Sequence, residues 1–264
     1  MSIKQQKQNP APPASLPLEK DYLANLSVDC VILGYHNKEL KVLCSKIIGM
    51  EVWALPGGHI RKDENLDEAA HRILEERTGV KGLFLKQFQT FGNKDRSFEK
   101  TAFSAHMLTL SAADAQKLNW IFTNRFVSIC FYALTEFSKV TPIHGFFDAE
   151  CSWVDVHNLP AMLLDHGQMI QDALKTLRRQ IHHEPVGLNL LPEKFTLPEL
   201  QSLYETILGK KLDQRNFTKK LASLNLLRKL NEKKHIGGHR SPTLYKFNKR
   251  AYNQALKQEI ELAF

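Results

Sequence analysis

Apolar residues in the first two thirds of the chain fall into short runs and two helical repeats. The runs are rich in β-branched and aromatic residues, and they predict strands over 28–35, 40–44, 83–88, 126–134 and 151–156. Apolar residues recur every three or four places over 66–74 and again over 169–177, which predicts two amphipathic helices. One helix on each face of the strands predicts an α/β/α sandwich with a mixed sheet, an α/β fold.

The last 70 residues carry a different pattern, that of two helices and a hairpin. Thr196 is a predicted helix cap with Glu199 at the reciprocal capping-box position, and Asp213 is predicted to cap a second helix over 214–224. Two strands follow at 226–230 and 243–247, around a polar, basic loop at 231–242. This order is typical of a winged helix-turn-helix domain.

These patterns divide the chain into four segments. They are a disordered, proline-bearing tail at 1–20, a first domain at 21–184, a linker at 185–194 and a second domain at 195–264. The tail lacks the apolar stretch of a secretory signal. Prolines bracket the linker, but its leucines indicate that it packs between the two domains. The connection over 94–125, with a short helix predicted at 111–118, is long for a link between strands.

The composition is that of an ordinary soluble protein, with 43% apolar and 24% charged residues in a chain of 264. No run of eighteen apolar residues occurs, so we expect no membrane-spanning helix. The four cysteines are isolated and lie in strand-like runs, which indicates buried thiols in a reducing cytoplasm.

The net charge of +8 belongs to the second domain. Its 70 residues hold 14 lysines and arginines against 6 acids, whereas the other 194 residues hold 22 of each. A neutral domain joined to a basic one predicts that the basic domain meets a polyanion. An exposed basic helix is often only a solvated surface, but the helix–helix–hairpin order favours double-stranded DNA as the partner.

The motif with the most chemical content spans positions 57–80. It is similar to the Nudix box, G-x5-E-x7-R-E-U-x-E-E-x-G-U with U aliphatic, at Gly58, Glu64, Arg72, Leu74, Glu76, Gly79 and Val80. It departs from that pattern at Ile73 and Arg77, where the family has glutamates. Asn65 is the predicted cap of the box helix, and Glu68 is its reciprocal capping-box partner.

Magnesium binding in an active Nudix enzyme uses carboxylates on one face of this helix. Residues three and four places apart share a face, and Mg²⁺ takes oxygen ligands. Here that face carries Ile73, Glu76 and Arg77, so a cation would meet one carboxylate and a like charge. Glu75 does not repair the loss because its side chain leaves the helix about 100° around from Glu76. We therefore expect no metal, no cofactor and no catalysis from the vestigial box residues Gly58, Glu64, Arg72 and Glu76.

Residues from about 21 to 250 together resemble the Nudix-related transcriptional regulators, the NrtR-type family and its Bacteroidetes relatives that control pentose use. The resemblance rests on the degenerate box, on Asp165-His166, on 195–201 and on Arg215-Asn216-Phe217 with 244–247. It implies a homodimer that binds operator DNA and senses ADP-ribose, a related NAD metabolite or a pentose through a Nudix domain. Repression is the expected sense of regulation. The linker is the expected route by which the effector weakens DNA binding.

The resemblance also places candidate binding residues. Those for the effector are Trp53, Gly57, Gly58, Arg72, Glu76, Asp165 and His166. Those for DNA are Arg215, Asn216, Lys219, Lys220, His239 and Arg240, of which the first two are expected to reach base edges. As alternatives, Trp53 and Trp153 are core residues, and His166 is a structural, hydrogen-bonding histidine.

Two other functions fit the same residues. An active Nudix pyrophosphatase for ADP-ribose or another nucleoside diphosphate derivative would need magnesium. It would also need carboxylates from outside the box, such as Glu99 or Glu150. In the third interpretation, the basic domain is an adaptor for RNA or protein.

Overall fold

A computed structural model describes residues 21–96, 125–145, 148–235 and 241–257. Four predicted features lie outside the described residues: the tail over 1–20, the short helix at 111–118, Glu99, and the wing tip with His239 and Arg240. In the described part of the chain, no helix is both long and apolar enough to span a bilayer.

The first domain contains a mixed sheet. Its described strands are β1 (Tyr22–His36), β2 (Glu39–Ile47), β3 (Trp53–Ala54), β4 (Gly57–Arg61), β5 (Phe84–Phe91), β6 (Val127–Glu136) and β7 (Asp148–Asp155). The strand order is β3-β2-β1-β6-β5, with β4 paired to β1 and β7 paired to β2. β1 and β6 run parallel and the other pairs run antiparallel, so the sheet is mixed as predicted.

Two helices cover opposite faces of this sheet. They are α1 (Leu66–Thr78) and α2 (His166–Gln180). Successive residues of a strand point to opposite faces, so Val31 packs with the α2 side of the core whereas Ile32 packs with the α1 side. The predicted α/β/α sandwich is therefore confirmed.

The second domain is the predicted winged helix. Its described elements are β8 (Phe195–Thr196), α3 (Leu197–Leu208), α4 (Gln214–Ser223), β9 (Leu227–Lys233), β10 (Thr243–Phe247) and α5 (Lys249–Lys257). The strands form a small sheet in the order β8-β10-β9. Two details differ from the sequence analysis. β9 continues into the predicted basic loop because pairing to β10 extends to Lys233, and α5 was missed although it buries Tyr252 and Ala255.

The segment predicted as a linker lies in apolar core that both domains share. Val186, Leu190 and Leu191 are buried in the same cluster as α2 and α3. The Tyr204 hydroxyl of α3 makes hydrogen bonds with both the N–H and the carbonyl of Val186. The two domains are also joined by a direct hydrogen bond, in which Arg178 Nε of α2 donates to the Ile207 carbonyl of α3 at 2.8 Å. The core and these bonds fix the winged helix against the end of α2 that lies far from His166.

Candidate functional site

The box helix is held at both ends by the predicted caps. The Asn65 N–H donates to Glu68 Oε2 at 2.7 Å. Gly79 ends the helix with a φ of 70°, a conformation that glycine adopts without strain. The loop before the helix is locked by Arg72, whose Nε and Nη2 donate to the two oxygens of Glu64 at 2.9 and 2.6 Å. The hydrogen bonds from Arg72 lower the pKa of Glu64, so this carboxylate stays ionised.

A cavity of about 200 Å³ opens between the box and the first turn of α2. Of the predicted effector residues, Gly57, Gly58 and His166 line it. The cavity is also lined by four charged residues that the sequence analysis did not propose as effector-binding residues: Asp29, Arg77, Arg96 and Asp148. The cavity therefore combines two guanidinium groups with two carboxylates.

Arg77 projects from α1 toward the cavity. Its Nη1 donates to Asp148 Oδ2, and the same oxygen accepts the N–H of Gly145. Gly145 lies directly against the guanidinium, so a side chain at that position would collide with Arg77. Asp148 fixes one edge of the guanidinium plane, and arginine has further N–H groups with which it can bind a ligand. The arrangement presents a fixed cation to the cavity.

Arg96 forms a second buried cation, with a side chain that is 4% exposed. Its Nε donates to Asp165 Oδ1 at 2.7 Å and its Nη1 donates to the Phe126 carbonyl at 3.1 Å. Asp29 Oδ2 lies 3.9 Å from Arg96 Nη2. Asp165 is therefore behind Arg96 rather than in the cavity, and its predicted role becomes the positioning of that arginine.

His166 lies at the start of α2 with its ring buried. Its Nδ1 accepts the N–H of Leu55 at 2.9 Å. An imidazole that accepts at Nδ1 carries its proton on Nε2 when neutral. Burial lowers the pKa of His166, which keeps the ring neutral near pH 7. The structural interpretation of His166 and its proposed effector role are therefore compatible, since Nδ1 holds the backbone of Leu55 directly after β3 and the ring borders the cavity.

The surface of α4 carries the predicted DNA-binding residues. The Asp213 side chain caps the helix by accepting the N–H of Asn216 at 2.8 Å. Phe217 and Leu221 are buried beneath it. Arg215, Asn216 and Lys219 are exposed on the outer face and Lys220 is half-buried beside them. Among the described residues, no carboxylate forms an ion pair with the cations of α4, so their charge is available to an outside partner.

Residues 24–173 match the sequence pattern of the NUDIX domain. The chain belongs to the NUDIX domain family. Residues 187–247 of this Nudix protein match a second pattern, that of the NrtR DNA-binding winged helix domain. The chain thus joins a Nudix domain to an NrtR winged helix, as the resemblance implied.

Similar proteins share this two-domain arrangement. The chain is 28% identical over 251 residues to the ADPR responsive transcriptional repressor NtrR of Acinetobacter baylyi, covering 92% of this chain and 90% of the relative. The crystal structure of Shewanella oneidensis NrtR complexed with a 27mer DNA has a TM-score of 0.67 at 28% identity, covering 86% of this chain and 95% of that chain. A MutT/nudix family protein from Enterococcus faecalis has a TM-score of 0.61 at 21% identity, covering 92% of this chain and 90% of that one, which shows the fold alone.

The Nudix box of this protein does not fit magnesium. Ile73 is buried in the core, Arg77 is paired with Asp148, and Glu76 accepts a hydrogen bond from Arg72 Nη1 at 3.4 Å. Hard cations need several free oxygen ligands. No group of three or more acidic, histidine or cysteine side chains in the described ranges is arranged to hold a metal ion. The carboxylate that Arg77 meets is Asp148, whereas Glu150, suggested as a replacement, accepts from the Ser152 hydroxyl.

Besides Asp165, three of the predicted effector residues do not line the cavity. Arg72 is engaged by Glu64, and its Nη2 also donates to the His59 carbonyl at 2.9 Å. Glu76 lies on the solvent side of α1 with a side chain that is 54% exposed. Trp53 packs against the core on the α2 side, because the neighbouring Ala54 takes the cavity side of β3. The predicted core role of Trp53 is therefore the better description.

Leu164 is a cavity residue that no sequence signal indicated. It lines the cavity with 37% of its surface exposed and a φ of 48°. A left-handed backbone costs a non-glycine residue about 1 kcal/mol or more, and such strain clusters at ligand sites. An apolar side chain held there gives the cavity a surface for packing against a ligand ring.

Proposed function

We propose that this Nudix protein is a transcriptional repressor that holds operator DNA through α4 and releases it when ADP-ribose occupies the cavity. The observation that carries the proposal is that Arg77 lines the cavity at a position where the Nudix pattern has a metal-binding glutamate. The domain that contains this cavity shares its core with a basic winged helix. The Acinetobacter baylyi relative, named as an ADPR responsive repressor, supports the same effector.

The charges of the cavity suit ADP-ribose. Its diphosphate is an anion, and arginine binds phosphate oxygens through paired N–H donors. Arg77 provides that donor where hydrolases of the family would hold a cation. Asp29 and Asp148 provide acceptors for ribose hydroxyl groups. A pentose would use those acceptors as well but would bring no anion to the N–H groups of Arg77 that Asp148 does not engage, so Arg77 favours ADP-ribose over the sugar.

Double-stranded operator DNA is the proposed partner of the winged helix. The α4 helix presents Arg215 and Asn216 near its N-terminal end, which is the part of a recognition helix that meets base edges in the major groove. The Shewanella oneidensis NrtR structure, complexed with a 27mer DNA, supports this assignment. We further propose that the protein acts in the cytoplasm as a homodimer, since helix-turn-helix proteins pair two recognition helices on two half-sites.

The donor set of the box argues against the hydrolase alternative. We propose that the cavity binds its effector with no metal cofactor and leaves the diphosphate intact, because Ile73 and Arg77 contribute no oxygen ligand.

The direct experiment selects an operator by cycling the purified protein through a pool of randomised DNA duplexes. ADP-ribose is then added to the protein–operator complex with and without magnesium, and the nucleotide is analysed by chromatography. Release of DNA with intact ADP-ribose supports the proposal. The proposal is contradicted if the protein selects no duplex from the pool. It is also contradicted if ADP-ribose is hydrolysed with magnesium faster than about 1 per second, an ordinary enzyme rate.

A further inference from the structure

The β1–β2 turn of the Nudix domain places a lysine beside the helix-turn-helix. β1 ends at His36 and β2 begins at Glu39, so Asn37 and Lys38 form a two-residue turn with φ values of 50° and 65°. Such turns need a positive φ at both positions and favour asparagine followed by glycine. Asn37 fits that preference, but Lys38 does not. A strained lysine at an exposed turn indicates a use for its side chain.

The turn is docked against α3, the first helix of the helix-turn-helix. The Thr206 hydroxyl lies 3.2 Å from the carbonyl of Lys38 and 2.7 Å from that of Ser202, so it donates to both oxygens. Three residues before Lys38, the Tyr35 hydroxyl donates to Ser202 Oγ at 2.9 Å. Lys38 therefore has a fixed position relative to the winged helix.

Lys38 shares a shallow notch with Lys210 and Lys211, in the turn between α3 and α4. One carboxylate, Glu205, also lines it, and Glu205 Oε2 lies 3.1 Å from Lys211 Nζ. The Leu212 N–H and neighbouring donors hold the pKa of Glu205 at about 2, so Glu205 stays ionised and offsets one lysine. The adjacent Glu39 is paired with Lys41 at 2.6 Å. Three lysines and one carboxylate therefore line the notch.

The notch lies next to the recognition helix. Lys210 and Lys211 lie three and two residues before the Asp213 cap of α4, and Arg215 follows within five residues. When a recognition helix enters the major groove, the helix before it crosses the DNA backbone. The turn that joins the two helices then faces phosphate groups at the edge of that groove.

We infer that Lys38, Lys210 and Lys211 form a phosphate-binding notch, through which the Nudix domain itself contacts the DNA backbone beside α4. The inference rests on the proposed DNA binding and extends it to a residue outside the winged helix. Because Lys38 belongs to the domain that holds the cavity, this inference places a DNA contact in the Nudix domain as well as in the winged helix.

The test measures binding of the full chain to its selected operator and to a mixed-sequence duplex between about 50 and 200 mM salt. Lys38→Gly removes the ammonium and suits the positive φ, so its thermal midpoint should stay equal or rise. Loss of one phosphate contact should, for each protomer bound, lower the salt slope by about 0.9 and the affinity at 0.1 M salt by about 5- to 10-fold on both duplexes. Lys38→Arg, which keeps the charge, should retain most of the binding.

Lys81→Gln is the matched control, because Lys81 is an exposed lysine after α1, on the other face of the sheet. Wild-type binding with an unchanged slope in Lys38→Gly would overturn the inference while leaving the proposed function in place. A loss on the operator alone would also overturn it, since phosphate contacts do not distinguish sequences. Failure of the wild-type protein to bind either duplex would instead refute the proposed function.

Discussion

Arg77 changes the chemistry of the cavity through a single side chain. The Nudix pattern places a glutamate at this position, and the structure shows a guanidinium held by Asp148. A carboxylate would attract a divalent cation, which in turn binds the phosphate groups of a substrate. A guanidinium attracts such phosphate groups directly. We therefore expect this location to bind phosphate directly rather than a metal ion.

Replacing this cation gives the first prediction. Arg77→Gln should weaken ADP-ribose binding by about 10- to 150-fold, since a hydrogen bond to a charged group contributes about 1.5–3 kcal/mol. Calorimetric titration measures the change. Arg179→Gln, at an exposed arginine near the end of α2, is the control and should leave the affinity unaltered. If both variants bind ADP-ribose with equal affinity, Arg77 does not contact the ligand.

His166 gives a prediction about pH. Burial lowers its pKa from the ordinary 6.5 in the folded protein, with Asp29, Arg96 and Asp165 as its charged neighbours. The unfolded chain then binds this proton at a higher pH than the folded chain. The free energy of unfolding should therefore decrease as the pH falls below about 6.5, by at most about 1.4 kcal/mol per pH unit for this one group.

Denaturant titrations from pH 7 to pH 5 test this dependence. His166→Asn keeps an acceptor for the Leu55 N–H and has no titrating ring, so its stability should fall less over this range than that of the wild type. His71→Asn removes an exposed histidine from α1 and should leave the wild-type dependence in place. Parallel curves for all three proteins would assign the loss of stability to other groups.

The sequence predicted part of the site and missed the part built from distant positions. Gly57 and Gly58 were found because they belong to a motif, and His166 was found through the resemblance. Asp148 lies 71 residues from Arg77 and belongs to no motif, so only the pairing of β7 with β2 brings it to the box. Arg96 was missed for the same reason, since its partner Asp165 lies 69 residues away.

At the scale of single elements, caps and periodicity predicted more than loops did. The predicted caps of α1, α3 and α4 were confirmed. The Asn65 N–H donates to the Glu68 carboxylate, and the side chains of Thr196 and Asp213 accept backbone N–H groups of their own helices. The helix α5 was missed although its buried residues Tyr252 and Ala255 lie three places apart, a spacing that predicts a helix.

The recognition helix α4 gives the third prediction. Arg215→Ala should weaken operator binding by roughly 1–3 kcal/mol and relax the preference for the operator over other sequences. Lys220→Ala should weaken binding to all duplexes alike and lower the salt slope by about one. Fluorescence anisotropy with the operator and a mixed-sequence duplex measures both. Identical losses on the two duplexes for both variants would show that the assigned roles are wrong.

The helix α2 offers a connection that the sequence analysis did not anticipate. It begins at the cavity with His166, and near its other end Arg178 donates to the Ile207 carbonyl of α3. The sequence predicts the leucine-bearing linker as the route of the coupling. Leu190 is 1% exposed in the shared core, so a serine there would disrupt packing in both domains and test stability rather than coupling.

At the scale of the whole molecule, the shared core makes the two domains one mechanical unit. A ligand changes DNA affinity only if it binds the DNA-competent and DNA-free conformations differently. Effector and operator then alter each other's affinity by the same factor, typically about 5- to 150-fold. Separate domains joined by a loose linker would bind both ligands with no such relation.

Calorimetric titration of ADP-ribose into the full chain, with and without saturating operator duplex, tests this account most directly. We expect ADP-ribose to bind more weakly in the presence of the operator, by the factor with which ADP-ribose weakens operator binding in a separate anisotropy experiment. Equal ADP-ribose affinities in the two titrations would contradict the account, because the Nudix cavity would then have no influence on DNA binding.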